Sequence, residues 1–582
     1  MIGFMKASQA GKEKADARLK QLTGQVSPRR ETARKVKRSS DGLADWSDVL
    51  AEIDRVRTFA QTPKATTTGY IRHKQAGKLW VRERVELLLD PGSFREIGST
   101  AGTATWTKVN ALSKNPMEAE RQTVTEFTPS NNVQGFGAIK GRRVLLTADD
   151  FTLRAGHADG ALMAKTLYME QLACFLKVPM IKLVDGSSGG GSITTYKTDN
   201  GAYLPEIEFL PFMVRQLDLG IPNCAAVVGP AVGLGAARAA VCHFSVIAGD
   251  IGALFNAGPK IVEGATFEEG LSTQDLGGPA IHCGNGVIDN YAPNEKECYD
   301  QIAQFLTYVP NHGGVLPPVI PSDDLPDRDC SYLRSTIPRR RQRMYEVRPI
   351  ITSIVDRGSF FEIGRHWGRS VVVGLARLNG QPVGIFANDC MFNAGAMDAG
   401  GCQKLAKHVK LCDVMNLPLI QLIDIPGFAI GTVAEKSGVM KWAMELCKTY
   451  FTTTIPIFSV IMRRCYGVGG VILIDNREPN CRVAWPSLNS GSVPLDGGIE
   501  VNHRADLRKA GDKAPELYRQ LEAEYTNLQH PLRVSTKFGV EEIIDPAHTR
   551  LVVCEWTTHM YQDTLKERLQ ERATGKLKPS FR

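Results

Sequence analysis

Four glycine-rich turns carry the clearest chemical signal in this sequence: Ser187-Ser188-Gly189-Gly190-Gly191-Ser192, Gly233-Leu234-Gly235, Pro426-Gly427-Phe428 and Gly467-Val468-Gly469-Gly470. A glycine lets backbone approach a ligand where a Cβ would block it. Amides aimed from two such turns at neighbouring strand ends, aided by a helix dipole, can stabilise one oxygen that turns negative during reaction. The four turns form two pairs, one in each half of the chain, and so offer two oxyanion holes. Other glycine-loop chemistries match less of the pattern. A phosphate-binding P-loop needs GxxxxGK[ST], and no Lys follows the glycine run until Lys197. A dinucleotide fingerprint needs a third glycine where Arg238 stands. Gly186-Ser187-Ser188-Gly189-Gly190 fits the GxSxG elbow with Ser188 as nucleophile, although IPGFA in the second half has no serine.

The elements that position these turns occur twice. A constant offset of 239 aligns residues 141–185 with 380–424 without a gap, and 13 of those 45 positions are identical. They include Gly141/Gly380, Asp150/Asp389, Gly156/Gly395, Lys165/Lys404, Pro179/Pro418 and Asp185/Asp424. Upstream, Asp90, Gly92, Ser93 and Phe94 match Asp356, Gly358, Ser359 and Phe360; downstream, Ile221-Pro222, Gly233 and Gly235 match Ile455-Pro456, Gly467 and Gly469. A repeat of this length marks a duplicated domain. Within each copy, apolar strand, glycine-rich turn and helix alternate, which predicts parallel βαβ units in an α/β fold. The helical spacing of Val49, Leu50, Ile53, Val56 and Phe59 predicts a helix over 47–60, with a second over 81–89 and a third over 160–176. Strands are expected from Gly135 onward, at 144–147, 180–184 and 224–228.

Composition is that of an enzyme-sized globular protein: 582 residues, 43% hydrophobic and 23% charged. No apolar run approaches the length of a membrane span. Residues 1–40 hold eleven Lys/Arg against three Asp/Glu, which equals the whole net charge of +8. The body is therefore balanced, and nucleic-acid binding is not indicated. Thirteen cysteines without a CxxC pair point to free thiols in a reducing compartment. Cys242-His243 and His282-Cys283 read as ordinary side chains, and no metal is expected. The basic stretch leaves a targeting segment open, so a cytoplasmic location is expected with the mitochondrial matrix as the alternative.

The expected organisation is a basic N-terminal extension and helix over 1–75, a domain over 76–325, a Pro-rich linker over 326–345, a second domain over 346–560 and a tail over 561–582. The Pro-rich segment that separates the halves begins upstream, running from Pro310 to Pro338 with Pro317-Pro318, Pro321 and Pro326, and is followed by the basic cluster at 339–343.

The segments RERVELLLDPGSFREIG, LVDGSSGGG, GPAVGLGAA, FNAGPKIVEGATFEEGLSTQDLGGPAIH, LIDIPGFAIGTVAEKSG and CYGVGG, in that order, resemble the carboxyltransferase (β) subunits of biotin-dependent acyl-CoA carboxylases. The resemblance spans roughly residues 70–560. It implies two tandem crotonase-like domains, with carboxyl transfer from carboxybiotin to a short-chain acyl-CoA. Gly189, Gly190 and Gly191 match one hole of the family and Val468 and Gly469 the other. Gly233, Gly235, Gly427, Phe428, Gly467 and Gly470 would line the binding turns. It further implies coenzyme A thioester substrates, biotin on a separate biotin carboxylase/carrier (α) subunit, and a homohexamer with sites shared between chains. The only Met-Lys pairs are Met5-Lys6 and Met440-Lys441, so a Met-Lys-Met biotinylation site is not found. Two residues, Gly186 and Ser187, are inserted at the first turn relative to the family, and SITTYKTDN after it departs from the family pattern. A decarboxylase subunit, a crotonase-type hydratase or isomerase using Glu435, a serine hydrolase using Ser188 and an inactive paralogue remain as alternatives.

Overall fold

The computed structural model describes residues 45–581 except 111, 199, 341, 476, 478 and 480. The basic residues 1–44 and part of the 339–343 cluster therefore lie outside the described residues. The chain divides into two units, one running to Phe212 and the other from Met213.

In the first unit, the helix Ser47–Gln61 packs Val56 and Ala60 against Val124 and Phe127 of an antiparallel hairpin, β2 (Gly102–Lys108) with β3 (Gln122–Pro129). Strands thus begin well before Gly135. These two read GTATWTK and QTVTEFTP. Their threonines have high β propensity but little hydrophobicity, so an apolar-pattern reading misses them. The main sheet of this unit joins β1 (Arg95–Glu96), β4 (Asn132–Ile139), β5 (Arg142–Asp149) and β6 (Met180–Gly186). β4 and β5 are antiparallel, while β5 and β6 are parallel with the helix Met163–Leu176 between them. β6 is buried along its whole length, as a strand covered on both faces must be.

The second unit opens with β7 (Asn223–Val232), which pairs in parallel with β8 (Phe244–Ala248) and β9 (Ala253–Phe255); β8 pairs with β10 (Asn290–Ala292). A full sheet follows. Its strands are β11 (Phe361–Ile363), β12 (Val371–Leu378), β13 (Gln381–Asn388), β14 (Leu419–Ile425), β15 (Ile457–Tyr466), β16 (Arg482–Ala484), β17 (Asn489–Gly491) and β18 (Glu542–Ile543). Their order is β11-β12-β13-β14-β15-β16-β18, with β17 on β15. Helices Ala399–Met415 and Val439–Thr452 connect β13 to β14 and β14 to β15. The core under this sheet includes Ile351, Val372, Ile385, Leu422, Val460 and Trp485.

The duplication is visible in the backbone. Left-handed φ values recur at the repeat offset: Lys140/Asn379 (49°, 51°), Gly141/Gly380 (76°, 76°), Ala155/Ala394 (49°, 51°) and Lys177/Asn416 (54°, 57°). The two-residue turns at 140–141 and 379–380 carry positive φ at both residues, which matches the twist of the hairpins they close. Each is capped by the aspartate of the upstream repeat. Asp90 accepts from the amides of Lys140 and Gly141, at 2.9 and 2.7 Å, and Asp356 from those of Asn379 and Gly380, at 3.1 and 2.7 Å.

Candidate active site

The second-copy turn begins where β14 ends. Asp424 is fully buried and accepts from Arg463 Nη2 (2.8 Å), Arg464 Nε (2.7 Å), the Arg464 amide (3.0 Å) and the Tyr345 hydroxyl (2.9 Å). Burial alone pushes its carboxyl up, but the two guanidiniums overcome this and hold it below the usual carboxylate range. The two arginines lie on β15, three and four residues before Gly467. The ion cluster therefore ties the ends of β14 and β15 together, and both glycine turns of this copy spring from those ends.

Beyond Asp424, a short parallel bridge forms between Met397 and Phe428. The Met397 amide donates to Gly427 O at 3.2 Å and the Ala429 amide to Met397 O at 2.9 Å. This pairing turns the Phe428 amide the other way, and it has no acceptor among the described residues. Opposite it, the helix Gly467–Leu473 starts with no side-chain cap. Its amides at Val468 and Gly469 precede the first intrahelical acceptor and stay open. A Cβ at Gly469 would stand 2.8 Å from Ile425 Cδ1 and 3.4 Å from Gly427 C, so glycine is what lets the two turns close on each other. Gly427, at φ 130°, has open space on its Cβ side. Gly470 is buried against Cys465.

The first-copy turn follows β6 and is longer. Gly186 (φ 108°), Ser188 (φ 50°) and Gly189 (φ 90°) bend it sharply. The Gly189 amide donates to Gly156 O at 2.7 Å and the Gly190 amide to Ser187 O at 2.9 Å. Both are spent inside the loop. The Ala158 amide donates to Gly190 O at 3.1 Å, as Met397 does to Gly427 O; Ala158 and Met397 are repeat partners. Gly190 is therefore the counterpart of Gly427, and Gly191 that of Phe428. The Gly191 amide is exposed and has no acceptor among the described residues. The inserted residues are absorbed before that point. Ser188 Oγ donates to Asp149 Oδ2 at 2.5 Å, and Ser187 Oγ is 3.0 Å from His157 Nδ1. Ser188 thus has the strained backbone of an elbow serine but faces a carboxylate, and the nearby imidazole is engaged by Ser187 instead.

Asp185, the counterpart of Asp424, is also fully buried, but its partners are Arg84 Nη1 at 2.8 Å and Lys78 Nζ at 3.4 Å. The second unit repeats the other turn: Gly233 (φ 55°) precedes the uncapped helix Leu234–Ala240 as Gly467 (φ 60°) begins its own. Gly235 is buried within that helix. The Gly233 amide donates to Phe255 O at 3.0 Å, so the open amides there begin at Leu234.

The repeated lysines are structural. Lys404 Nζ donates to the carbonyls of Val371, Trp367 and Gly364 at 2.7, 2.9 and 3.0 Å, while burial pushes its pKa down to about 7. Lys165 donates to Asn132 O at 2.7 Å, and burial lowers it to about 8. Glu435, the carboxylate a hydratase would need, is exposed in the short helix Thr432–Lys436 and has no partner among the described residues. No group of three or more metal-ligating side chains occurs among the described residues, and no helix there is long and apolar enough to cross a membrane.

Sequence reading found every turn but missed the groups that set them: Asp424 with Arg463 and Arg464, Ser188 with Asp149, and His157. The repeated Asp185/Asp424 was the available signal, since an invariant carboxylate at a buried strand end requires a cation nearby.

A family model described as the carboxyl transferase domain matches residues 72–574. The chain is 30% identical over 506 residues to the propionyl-CoA carboxylase beta chain of Roseobacter denitrificans, covering 86% of this chain and 94% of that one. It is 30% identical over 489 residues to the mitochondrial propionyl-CoA carboxylase beta chain of Sus scrofa, covering 83% and 85%. Among solved structures, transcarboxylase 12S, with methylmalonyl-coenzyme A and methylmalonic acid bound, aligns with a TM-score of 0.75 at 24% identity over 91% of this chain and 97% of that one. That likeness is one of fold.

Proposed function

The chain belongs to the carboxyltransferase β subunits of acyl-CoA carboxylases, and from that premise we propose that it carboxylates a short-chain acyl-CoA at two amide-lined turns. Bound carboxybiotin, carried by a partner subunit, would supply the carboxyl group and the base for the substrate α-proton. The chain's own task is electrostatic. Gly191 at one turn, and Phe428, Val468 and Gly469 at the other, present amides to oxygens that gain charge only during reaction. Such preorganised donors act most strongly on the transition state, because they need no reorganisation when charge develops.

The observation that carries this reading is the open amide at equivalent places in both copies, Gly191 and Phe428, while their neighbours are consumed by the fold. A donor kept free twice, against the tendency of backbone to pair, is what an oxyanion site requires. The buried carboxylates at these turns, Asp185 and Asp424, are held in ion pairs, which is consistent with chemistry in which the substrate's partner supplies the base. Propionyl-CoA is the substrate class favoured by the two relatives' names.

Around the second turn the side chains of Ile430, Val433, Met440, Val468 and Val471 are exposed, Ile430 at 91%. An apolar collar beside a catalytic turn supports its being covered by a second copy of the chain. We expect a homohexamer whose sites are completed between copies; transcarboxylase 12S is described as a hexamer. Two measurements test the reading: light scattering on the purified chain, and carboxyl transfer from methylmalonyl-CoA to free biotin. An active monomer would overturn the shared site. No transfer from any short-chain malonyl-type thioester by the intact oligomer would overturn the activity.

A further inference from the structure

The segment after the first glycine turn brings one side chain back onto the turn. Tyr203 places its hydroxyl where a Cβ on residue 191 would stand, so that any side chain at Gly191 would collide with it. Thr195 Oγ1 accepts from the Ser192 amide at 3.0 Å, which fixes the start of the return, and the Tyr196 ring lies 6.0 Å from that of Tyr203. The Tyr203 hydroxyl has no hydrogen-bond partner among the described residues. Its side chain is accessible, at 42% exposure, as is Gly191. Two donors, one backbone and one phenolic, therefore lie side by side with nothing of the protein's own to donate to.

We propose that Tyr203 is a hydrogen-bond donor of the first turn, acting with the Gly191 amide on the same developing oxyanion. The proposal rests on the carboxyltransferase reading of that turn. The physical argument is one of supply. In the first-turn loop Gly189 and Gly190 give their amides to Gly156 and Ser187, so of the three glycines Gly191 is the one whose amide is open. The phenol adds a second donor beside it. It also explains glycine at 191: position 192 onward needs no such residue, but the approach of the hydroxyl does.

The test is steady-state transfer from methylmalonyl-CoA to free biotin by the full-length oligomer carrying Tyr203→Phe, which keeps the ring and its packing. The expected result is a fall in kcat of about 10- to 100-fold, with KM for the thioester changed by less than about twofold, because the lost bond belongs to the transition state. Parental kcat in Tyr203→Phe overturns the assignment. So does a rise in KM at unchanged kcat, which would make the hydroxyl a ground-state contact. Gly191→Ala should lose turnover as well, by displacing the phenol, and an unaffected Gly191→Ala also overturns it. An inactive parent oligomer sinks the carboxyltransferase reading and this proposal together, whereas an active parent with an equally active Tyr203→Phe sinks only the latter.

Discussion

The two strand-end turns descend from one plan and solve it differently. After β14 the chain passes from Asp424 to Phe428 in four residues, and the bridge to Met397 settles which amide stays open. After β6 the same journey, Asp185 to Gly191, takes six, and two amides are consumed on the way. The aspartates differ too. Asp424 draws its cations from the next strand, through Arg463 and Arg464; Asp185 draws them from outside the sheet, through Arg84 and Lys78. What the duplication has kept is a buried carboxylate and one exposed amide. The source of the compensating charge and the loop length have been free to change, because neither alters the direction in which the amide points.

The largest effect that can break this comparison is removal of the carboxylate. Asp424→Asn strands two guanidiniums in a buried site, and leaving a buried charge unpaired costs about 3–5 kcal/mol. Asp185→Asn releases one guanidinium and a lysine amine that sits 3.4 Å from the carboxylate, so a smaller loss is expected. Thermal unfolding of both variants orders them, and equal midpoints would show that the two ion clusters are energetically alike.

Next come the amides. Gly191→Pro and Gly469→Pro each remove one open N–H. Each should lower turnover by about 10²–10³ in the folded oligomer, or roughly 3–4 kcal/mol of transition-state stabilisation. Gly469 sits in the first helical turn, where a proline breaks no intrahelical bond, and its turnover is compared with that of Gly469→Ala, which adds the same Cβ but keeps the amide. Gly189→Pro is the contrast. It removes the bond to Gly156 O at a residue with φ 90°, and should appear as misfolding. A soluble, assembled but slow Gly189→Pro enzyme would mean that the wrong amide has been assigned.

A milder change probes the approach of the turns. Gly469→Ala keeps the amide but sets a Cβ 2.8 Å from Ile425 Cδ1 and 3.4 Å from Gly427 C. A shift of a few tenths of an ångström should cost about tenfold in kcat. Full activity would show that Ile425 alone yields.

The smallest expected effect concerns pH. Burial pushes the thiols of Cys402, Cys465 and Cys554 up to about 12. Unfolded thiols ionise near 9, so above that pH the unfolded state holds fewer protons. The stability these groups contribute is fully present below pH 9 and is lost as pH rises towards 12. All three lie in the second copy, whereas the described part of the first unit has only Cys174. Hydrogen exchange from pH 8 to 11 should therefore loosen the second unit before the first.

The fold was legible wherever sequence periodicity or identity reported on it. The offset of 239 survives as matching left-handed φ at Gly141 and Gly380, since glycine there is required by the turn itself. The helices at 47–61, 81–88 and 163–176 stand close to the ranges expected from apolar spacing. The β2–β3 hairpin was not legible, because threonine alternation carries no hydrophobic signal. At the site, glycines announced the turns, but which amide is open depends on acceptors far away in sequence, such as Gly156 O for Gly189. No local pattern encodes that pairing. Nothing local marks Arg463 and Arg464 as partners of Asp424 until β14 and β15 are placed side by side.

The aspartate-capped turns at Lys140-Gly141 and Asn379-Gly380 also have a kinetic meaning. Each closes a hairpin between strands adjacent in sequence, and such hairpins form in about 1–10 μs. The next partner of each, β6 or β14, arrives only after a helical crossover has closed, which is slower because a longer loop must be ordered first. In that interval β5 and β13 present bare edges. Refolding yield should accordingly fall with protein concentration, and the chain's most dangerous state is a well-formed hairpin waiting for its third strand.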